Sequence, residues 1–486
     1  MKNLAFATIV ELKQKLENKE ITESELLSFF LNRLEKHNPE LNAAIEVFDK
    51  DSIDKQSRQQ GTLSGIPGLI KDNISQENRK LTAASKILDG YTATYDSTVT
   101  SRLKRQGALL AGRANLDEFA MGSSTETSAF GTSKNPWNLE YVPGGSSGGS
   151  AVAVAAGLVP WALGTDTGGS VRQPAGFCGI MGLKPTYGLV SRHGVIAYAS
   201  SLDQVGIFAR SAHDTAIVLS ALAGQDVRDS STLSVQKKDY TQTLDGSIKS
   251  GMTIGLIESM INAEGVDSEV HGVINQAVKD FEKLGVTVKK ISLPILDYAA
   301  SAYFIISRAE AASNLARFDG VRYGLRKRKT DGLEKMYNQT RHDGFGLEVR
   351  DRILVGNFVL SAGHSADFYQ NAQMVQRMIR KDLDQAFTQV DLLLAPTQPA
   401  GAFKIGAYDK QNKLQMDLQD YFTCFVNLSG NPGMSVPGGF TADKLPIGFQ
   451  LVGPHLSEGL MLQTAHAYQQ VTDWHKKHPE QFVESE

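Results

Sequence analysis

Between Gly144 and Ser170 the chain reads Gly-Gly-Ser-Ser-Gly-Gly-Ser, then a small apolar run from Ala151 to Ala156, then, from Gly164, Gly-Thr-Asp-Thr-Gly-Gly-Ser. Beds of glycine let successive backbone N–H groups converge on one point, and a helix that opens directly after such a bed turns its free N–H groups the same way. On its own, Gly-Gly-Ser-Ser-Gly-Gly is more often a flexible loop. The buried-looking run Ala151-Val152-Ala153-Val154 behind it instead sets the glycines between a turn and a helix N-terminus, where an anion is favoured.

A serine hydroxyl is a weak nucleophile at neutral pH. It needs a base within hydrogen-bond reach and N–H donors where an oxyanion forms. Lys71, in Ile70-Lys71-Asp72-Asn73, is the upstream candidate for that base. It can act only when neutral, which at pH 7 costs about 4.6 kcal/mol relative to a free lysine. Burial alone can lower a lysine that far. A phosphate loop is the first rival reading, but it needs GxxxxGK[ST], and in Gly182-Leu183-Lys184-Pro185-Thr186 both the proline and the spacing fail. A Ser-His-Asp hydrolase is the second. Gly144 to Gly148 fits G-x-S-x-G, but Tyr141-Val142-Pro143 is a poor strand for a nucleophile elbow, and the ten histidines are scattered, with His193 reading as a turn or surface residue.

With 486 residues, 41% of them hydrophobic and 21% charged, the chain can bury a large core. Net charge is -3 and the densest basic run is Arg322 to Lys329, which argues against RNA binding as a dominant stand-alone activity. Cys178 and Cys424 are the only cysteines, with no pair or cluster at metal spacing, so neither a disulfide framework nor a metal site is expected. The N-terminus lacks the apolar stretch of a signal peptide and no run of ~18 apolar residues occurs, so a cytoplasmic protein that crosses no membrane is expected.

Thr22-Glu23-Ser24-Glu25 reads as a capping box, and the first ~40 residues as two amphipathic helices packed on the outside. From about 61 to 210, strand-like and helical runs alternate. Met252–Ile257, Val270–Leu284 and Val286–Val288 predict a βαβ unit with a parallel strand pair. A charged helical stretch follows from 298 to 387, then strands at Asp391–Pro396 and Ile447–Val452 and a closing helix over Leu456–Val471. No repeat, linker or domain break is evident. One α/β domain over 1–486 is expected, with an N-terminal helical segment (1–60), a signature region (61–210) and a remainder (211–486).

The three blocks and their spacing resemble the amidase signature family over nearly the whole chain. Ser170 follows Ser146 by 24 positions and Lys71 precedes Ser146 by 75, as in that family's pattern. The resemblance implies a large mixed central sheet covered by helices on both faces and a cis Gly145-Ser146 bond. Ser170 is then the nucleophile, Ser146 the proton relay, and Lys71 the base that later returns the proton to the leaving amine. One hydroxyl both donates and accepts, which suits a relay. Thr167, Gly168 and Gly169 would form the oxyanion hole, since glycines let N–H groups converge. Ser147 and Ser150 are expected as structural caps.

Within the family, several blocks resemble a branch that hydrolyses glutamine and passes ammonia to a partner amidating misacylated Glu-tRNA(Gln) or Asp-tRNA(Asn). These are Asp117–Glu126, Asn135–Asn138, Ser201–Gln204 and, most specific of all, Ser313–Gly324. Pro67–Ile70 and Gly206-Ile207 depart mildly from that branch, beside the motifs and not in them. Glutamine recognition calls for a cation for the α-carboxylate and an anion for the α-ammonium. By position in the family pattern these are Arg352 and Asp420, with Arg350 as the alternative arginine and Ser124 as a further substrate contact. The branch also implies a heterotrimer with a B-type kinase/transferase and a small C-type subunit, tRNA held mainly by the partner, ATP and Mg used only there, and no cofactor in this chain. A stand-alone amidase of small carboxamides and a non-catalytic scaffold are the other readings.

Overall fold

A computed structural model describes residues 4–56, 58–328, 331–408 and 413–483. Lys329, the last residue of the basic run, lies outside the described residues.

Eleven strands form one mixed sheet in the order β1-β3-β2-β4-β6-β5-β10-β11-β9-β7-β8. They are β1 (Ala44–Val47), β2 (Pro67–Lys71), β3 (Leu109–Ala114), β4 (Trp161–Asp166), β5 (Met181–Lys184), β6 (Gln204–Ala209), β7 (Thr253–Ile257), β8 (Thr287–Ile291), β9 (Leu392–Pro396), β10 (Gly433–Phe440) and β11 (Pro446–Val452). Strand alternation sends successive side chains to opposite faces. Ile70, Leu163 and Ile207 join one core layer, while Leu69, Ala162 and Phe208 join another. The first layer is roofed by helices Ala212–Leu222, Ser268–Lys283 and Glu458–Val471, the second by Gly148–Ala155 and Arg172–Cys178. Helices Ala299–Leu315, Leu347–Leu360 and Asn371–Ala386 supply a further core that receives Leu393 and Ala395 of β9. With helices on both faces, the central strands β2, β4, β5 and β6 are buried along their whole length.

The capping box is present: Thr22 Oγ1 accepts from Glu25 N–H at 3.2 Å and Glu25 Oε2 accepts from Thr22 N–H at 2.9 Å. The predicted βαβ unit is β7, Ser268–Lys283 and β8, with β7 and β8 parallel. β10 went unforeseen because Gly433, Pro437, Gly438 and Gly439 read as turn chemistry. Its register shifts between Pro437 and Gly439, which fits proline to a bulge. None of the described helices is long and apolar enough to cross a membrane.

Candidate active site

Parallel pairing of β2 with β4, Ile70 opposite Leu163, puts Lys71 at the carboxyl end of β2 beside Thr165 and the loop that follows β4. Clefts at the carboxyl ends of parallel strands are where open α/β sheets bind ligands. Helix Gly148–Ala155 starts immediately after the first glycine bed and delivers Ser146 and Ser147 to the same point. The Gly145-Ser146 peptide is cis. The Gly145 N–H donates to Gln173 Oε1 at 3.0 Å and the Ser146 carbonyl accepts from Asp117 N–H at 3.1 Å, so both sides of that bond are held.

Lys71, Ser146 and Ser147 are fully buried. Lys71 Nζ lies 2.8 Å from Ser146 Oγ, 2.7 Å from Ser147 Oγ and 3.0 Å from Thr165 Oγ1. The proton accounting gives these contacts a direction. The Ser147 hydroxyl donates to the Thr165 carbonyl at 3.1 Å, so toward Lys71 it can only accept. A neutral amine has two N–H bonds and one lone pair: with one N–H given to Ser147 and the other to Thr165, the lone pair would be left for the Ser146 hydroxyl. Burial pushes the Lys71 amine down to about 7, against Asp117, Asp166 and Asp203, which favour its charged form. Ser147 is therefore not the cap expected of it, since its side chain makes no cap bond; it holds the amine. The Ser150 hydroxyl is likewise no cap but ties the helix to β4 by donating to the Leu163 carbonyl at 2.9 Å.

Ser170 sits at the end of the Asp166–Ser170 loop and is slightly open, at 5% exposure. No Ser146–Ser170 hydrogen bond is formed among the described residues. Such catalytic contacts are often long without substrate and tighten when it binds. The loop has no room for side chains at its centre: a Cβ on Gly168 would meet Tyr303 Cζ at 2.4 Å and one on Gly169 would meet Thr423 Oγ1 at 2.0 Å. The Thr423 hydroxyl donates to the Gly168 carbonyl at 2.6 Å and the Thr167 hydroxyl to Asp203 Oδ1 at 2.6 Å, which fixes the backbone from both sides. Burial pushes Asp203 up to about 6, opposed by Thr167 and Arg192.

Beneath the loop lies a buried arginine that sequence reasoning missed. Arg172 grips Asp166 through Nε–Oδ2 at 3.1 Å and Nη2–Oδ1 at 3.0 Å. It also donates to the Thr423 carbonyl at 2.9 Å, to Gln450 Oε1 at 3.0 Å and to Asn427 Oδ1 at 2.7 Å. Burial works against the Asp166 charge, but Arg172 outweighs it and holds the carboxyl below its ordinary range. The Asp166/Arg172 pairing is local and was within reach of the sequence. Its contacts to Asn427 and Gln450, more than 250 positions away, were not.

The residues expected to hold substrate lie close by in the fold. Arg352 is buried, donating from Nη1 to Tyr198 Oη at 2.7 Å and from Nε to Glu348 Oε1 at 2.6 Å. Asp420 is buried too and accepts from Ser123 Oγ at 3.2 Å. Ser124, the further contact expected for substrate, is buried next to Ser123, and its N–H donates to Asp117 Oδ2 at 3.3 Å. Burial pushes Asp420 up to about 7, with Arg352 opposing it. An arriving ammonium would restore its charge. Arg350, the alternative arginine, helps to hold down Glu118, which burial pushes up to about 7.

The family model described as Amidase matches residues 25–462. The glutamyl-tRNA(Gln) amidotransferase A subunit of Halothermothrix orenii is 47% identical over 473 residues, 97% of this chain and 98% of its own. The protein of the same name from Coxiella burnetii is 48% identical over 480 residues, 97% of this chain and 99% of its own. Among solved structures, the glutamyl-tRNA(Gln) amidotransferase A subunit of Thermotoga maritima superposes with a TM-score of 0.83 at 38% identity, each chain fully covered. The peptide amidase of Stenotrophomonas maltophilia superposes with 0.80 at 30% identity, covering 97% of this chain and 98% of its own.

Proposed function

The chain belongs to the amidase family, and from that premise we propose that it is the glutamine-hydrolysing A subunit of a glutamyl-tRNA(Gln) amidotransferase, working with further subunits. The observation that carries the reading is one contact: the buried Lys71 amine 2.8 Å from Ser146 Oγ, beside the glycine loop of Ser170. Near-full-length identity to relatives that bear this name supports the choice of glutamine over other amides.

In this reading Ser170 Oγ attacks the glutamine side-chain carbonyl. Its proton moves to Ser146 as the Ser146 proton moves to Lys71 Nζ. Backbone N–H groups of the Thr167–Ser170 loop take up the charge on the carbonyl oxygen. Collapse of the adduct breaks the C–N bond, the proton returns from Lys71 through Ser146 to nitrogen, and ammonia leaves. Water then attacks the ester at Ser170 by the same relay and releases glutamate. Arg352 takes the α-carboxylate and Asp420 the α-ammonium of the substrate. The heterotrimer with a B-type and a small C-type subunit belongs to the same proposal, with tRNA, ATP and Mg bound by the partner and no cofactor in this chain. So does a cytoplasmic location.

Reconstitution with the other subunits tests it. Ser170→Ala abolishes glutamine-dependent amidation of Glu-tRNA(Gln) and leaves ammonia-dependent amidation intact. Equal loss of both contradicts separate half-reactions, and full turnover of simple amides without any partner turns the reading to a stand-alone amidase.

A further inference from the structure

The most branch-specific block, Ser313–Gly324, ends helix Ala299–Leu315 and lines a cavity that takes no part in the chemistry above. The cavity has a volume of about 350 Å³, and its walls include Tyr91, Tyr95, Phe318 and Tyr323, with Asn314 and Arg317 at one side. Phe318 is locked edge-on between Phe119 and Tyr323, with ring centroids 5.0 and 5.7 Å away, so the walls are set before anything enters. Tyr95 is 46% exposed and forms an open lip. The chain leaving Tyr323 carries the basic run: Arg317, Arg322, Arg326 and Arg328 are all exposed. Along 317–328, Asp319 engages Arg322 at 3.1 Å and, from outside the stretch, Asp343 engages Lys327 at 2.8 Å, so bases outnumber acids on this side of the cavity.

We propose that this cavity is the anchor point of the partner protein of the complex, which inserts an aliphatic or aromatic side chain flanked by carboxylates. Two observations favour that occupant. A preformed aromatic cavity with arginine at its edge is the form of a protein interface hot spot, and the positive rim selects an acidic surface. RNA is the weaker fit, because the rings pack at 54–74° to one another and present no open stack of faces for successive bases. The position also serves the proposed reaction, on whose amidotransferase reading this inference rests. Asn314 Nδ2 donates to the Tyr198 carbonyl at 3.2 Å and to Ser200 Oγ at 3.0 Å, and Tyr198 Oη accepts from Arg352. A protein seated here lies one side chain away from Tyr198, which holds Arg352.

The test compares wild type, Tyr95→Ala and Arg317→Glu, each coexpressed with the two other amidotransferase subunits and titrated against them. Both positions are exposed, and labelling of Ser170 by a fluorophosphonate reports that each variant remains folded. Arg317→Glu is expected to weaken the complex at least about tenfold and Tyr95→Ala several-fold, with wild-type affinity falling as salt rises. Wild-type affinity in both variants overturns the proposal. Intact assembly with lost affinity for an acceptor-stem RNA also overturns it, by making RNA the occupant. If the wild-type chain assembles with neither of the others while its glutaminase persists, the amidotransferase reading itself falls and the docking site with it.

Discussion

Two strands of the sheet end in a buried lysine, and only one of those lysines belongs to the proposed active site. Lys71 closes β2 and Lys184 closes β5; both are almost wholly inaccessible, and burial pushes both down to about 7. Their surroundings differ. Lys71 faces three hydroxyls, Ser146 among them, with a glycine loop beyond. Lys184 donates to the carbonyl of Pro185 at 2.8 Å and is further lowered by Arg172. A depressed amine therefore marks desolvation, and chemistry requires in addition a hydroxyl relay and a space for substrate.

The largest expected effect separates the two directly. Lys71→Met lowers glutaminase kcat/KM by at least about 10³-fold, the scale of a lost acid–base group, while Lys184→Met stays within about threefold of wild type. Comparable losses in steady-state assays of the two variants would erase the distinction. Next comes Arg172, which sits between the two sites through Asp166. Arg172→Met leaves a buried carboxylate without its partner and costs about 3–5 kcal/mol in urea unfolding. A loss under about 1 kcal/mol would mean that Asn427 alone holds the loop.

Smaller effects sharpen the picture. Ser147→Ala removes one acceptor of the amine and is expected to lower kcat about tenfold with KM for glutamine unchanged; a rise in KM alone would assign Ser147 to substrate. Lys184→Met should leave stability at pH 7 unchanged or raised. A lysine whose folded value is depressed binds fewer protons folded than unfolded between about 7 and its free value, so stability rises with pH across that window, and removing the amine removes the slope. Unfolding midpoints followed from pH 7 to 10 check this, and an unchanged slope would speak against it.

The legible and illegible parts of the molecule divide by range. Spacing along the chain pointed to Lys71, Ser146 and Ser170 as the proposed triad, and the fold brings the first two within 2.8 Å, because each motif is short and tied to its own strand end or helix start. Thr22 and Glu25 announced a helix for the same reason. The sequence did not reveal Ser147 as a second contact of the amine, since that depends on Thr165 claiming its proton from a neighbouring strand. Nor did it show Ser123 bonded to Asp420, a pairing 297 positions long. β10 was hidden because Gly438 and Gly439 read as a turn, whereas in the fold they give room to Val273 of the covering helix.

The central claim is that Lys71 works as a neutral base through Ser146, and the pH dependence of glutaminase kcat/KM tests it most directly. The account predicts that activity falls as the pH drops through about 7, with a limb that survives Lys184→Met and vanishes from the residual activity of Lys71→Met. A profile flat from pH 6 to 9 in the wild type, or a limb abolished by Lys184→Met instead, would contradict it.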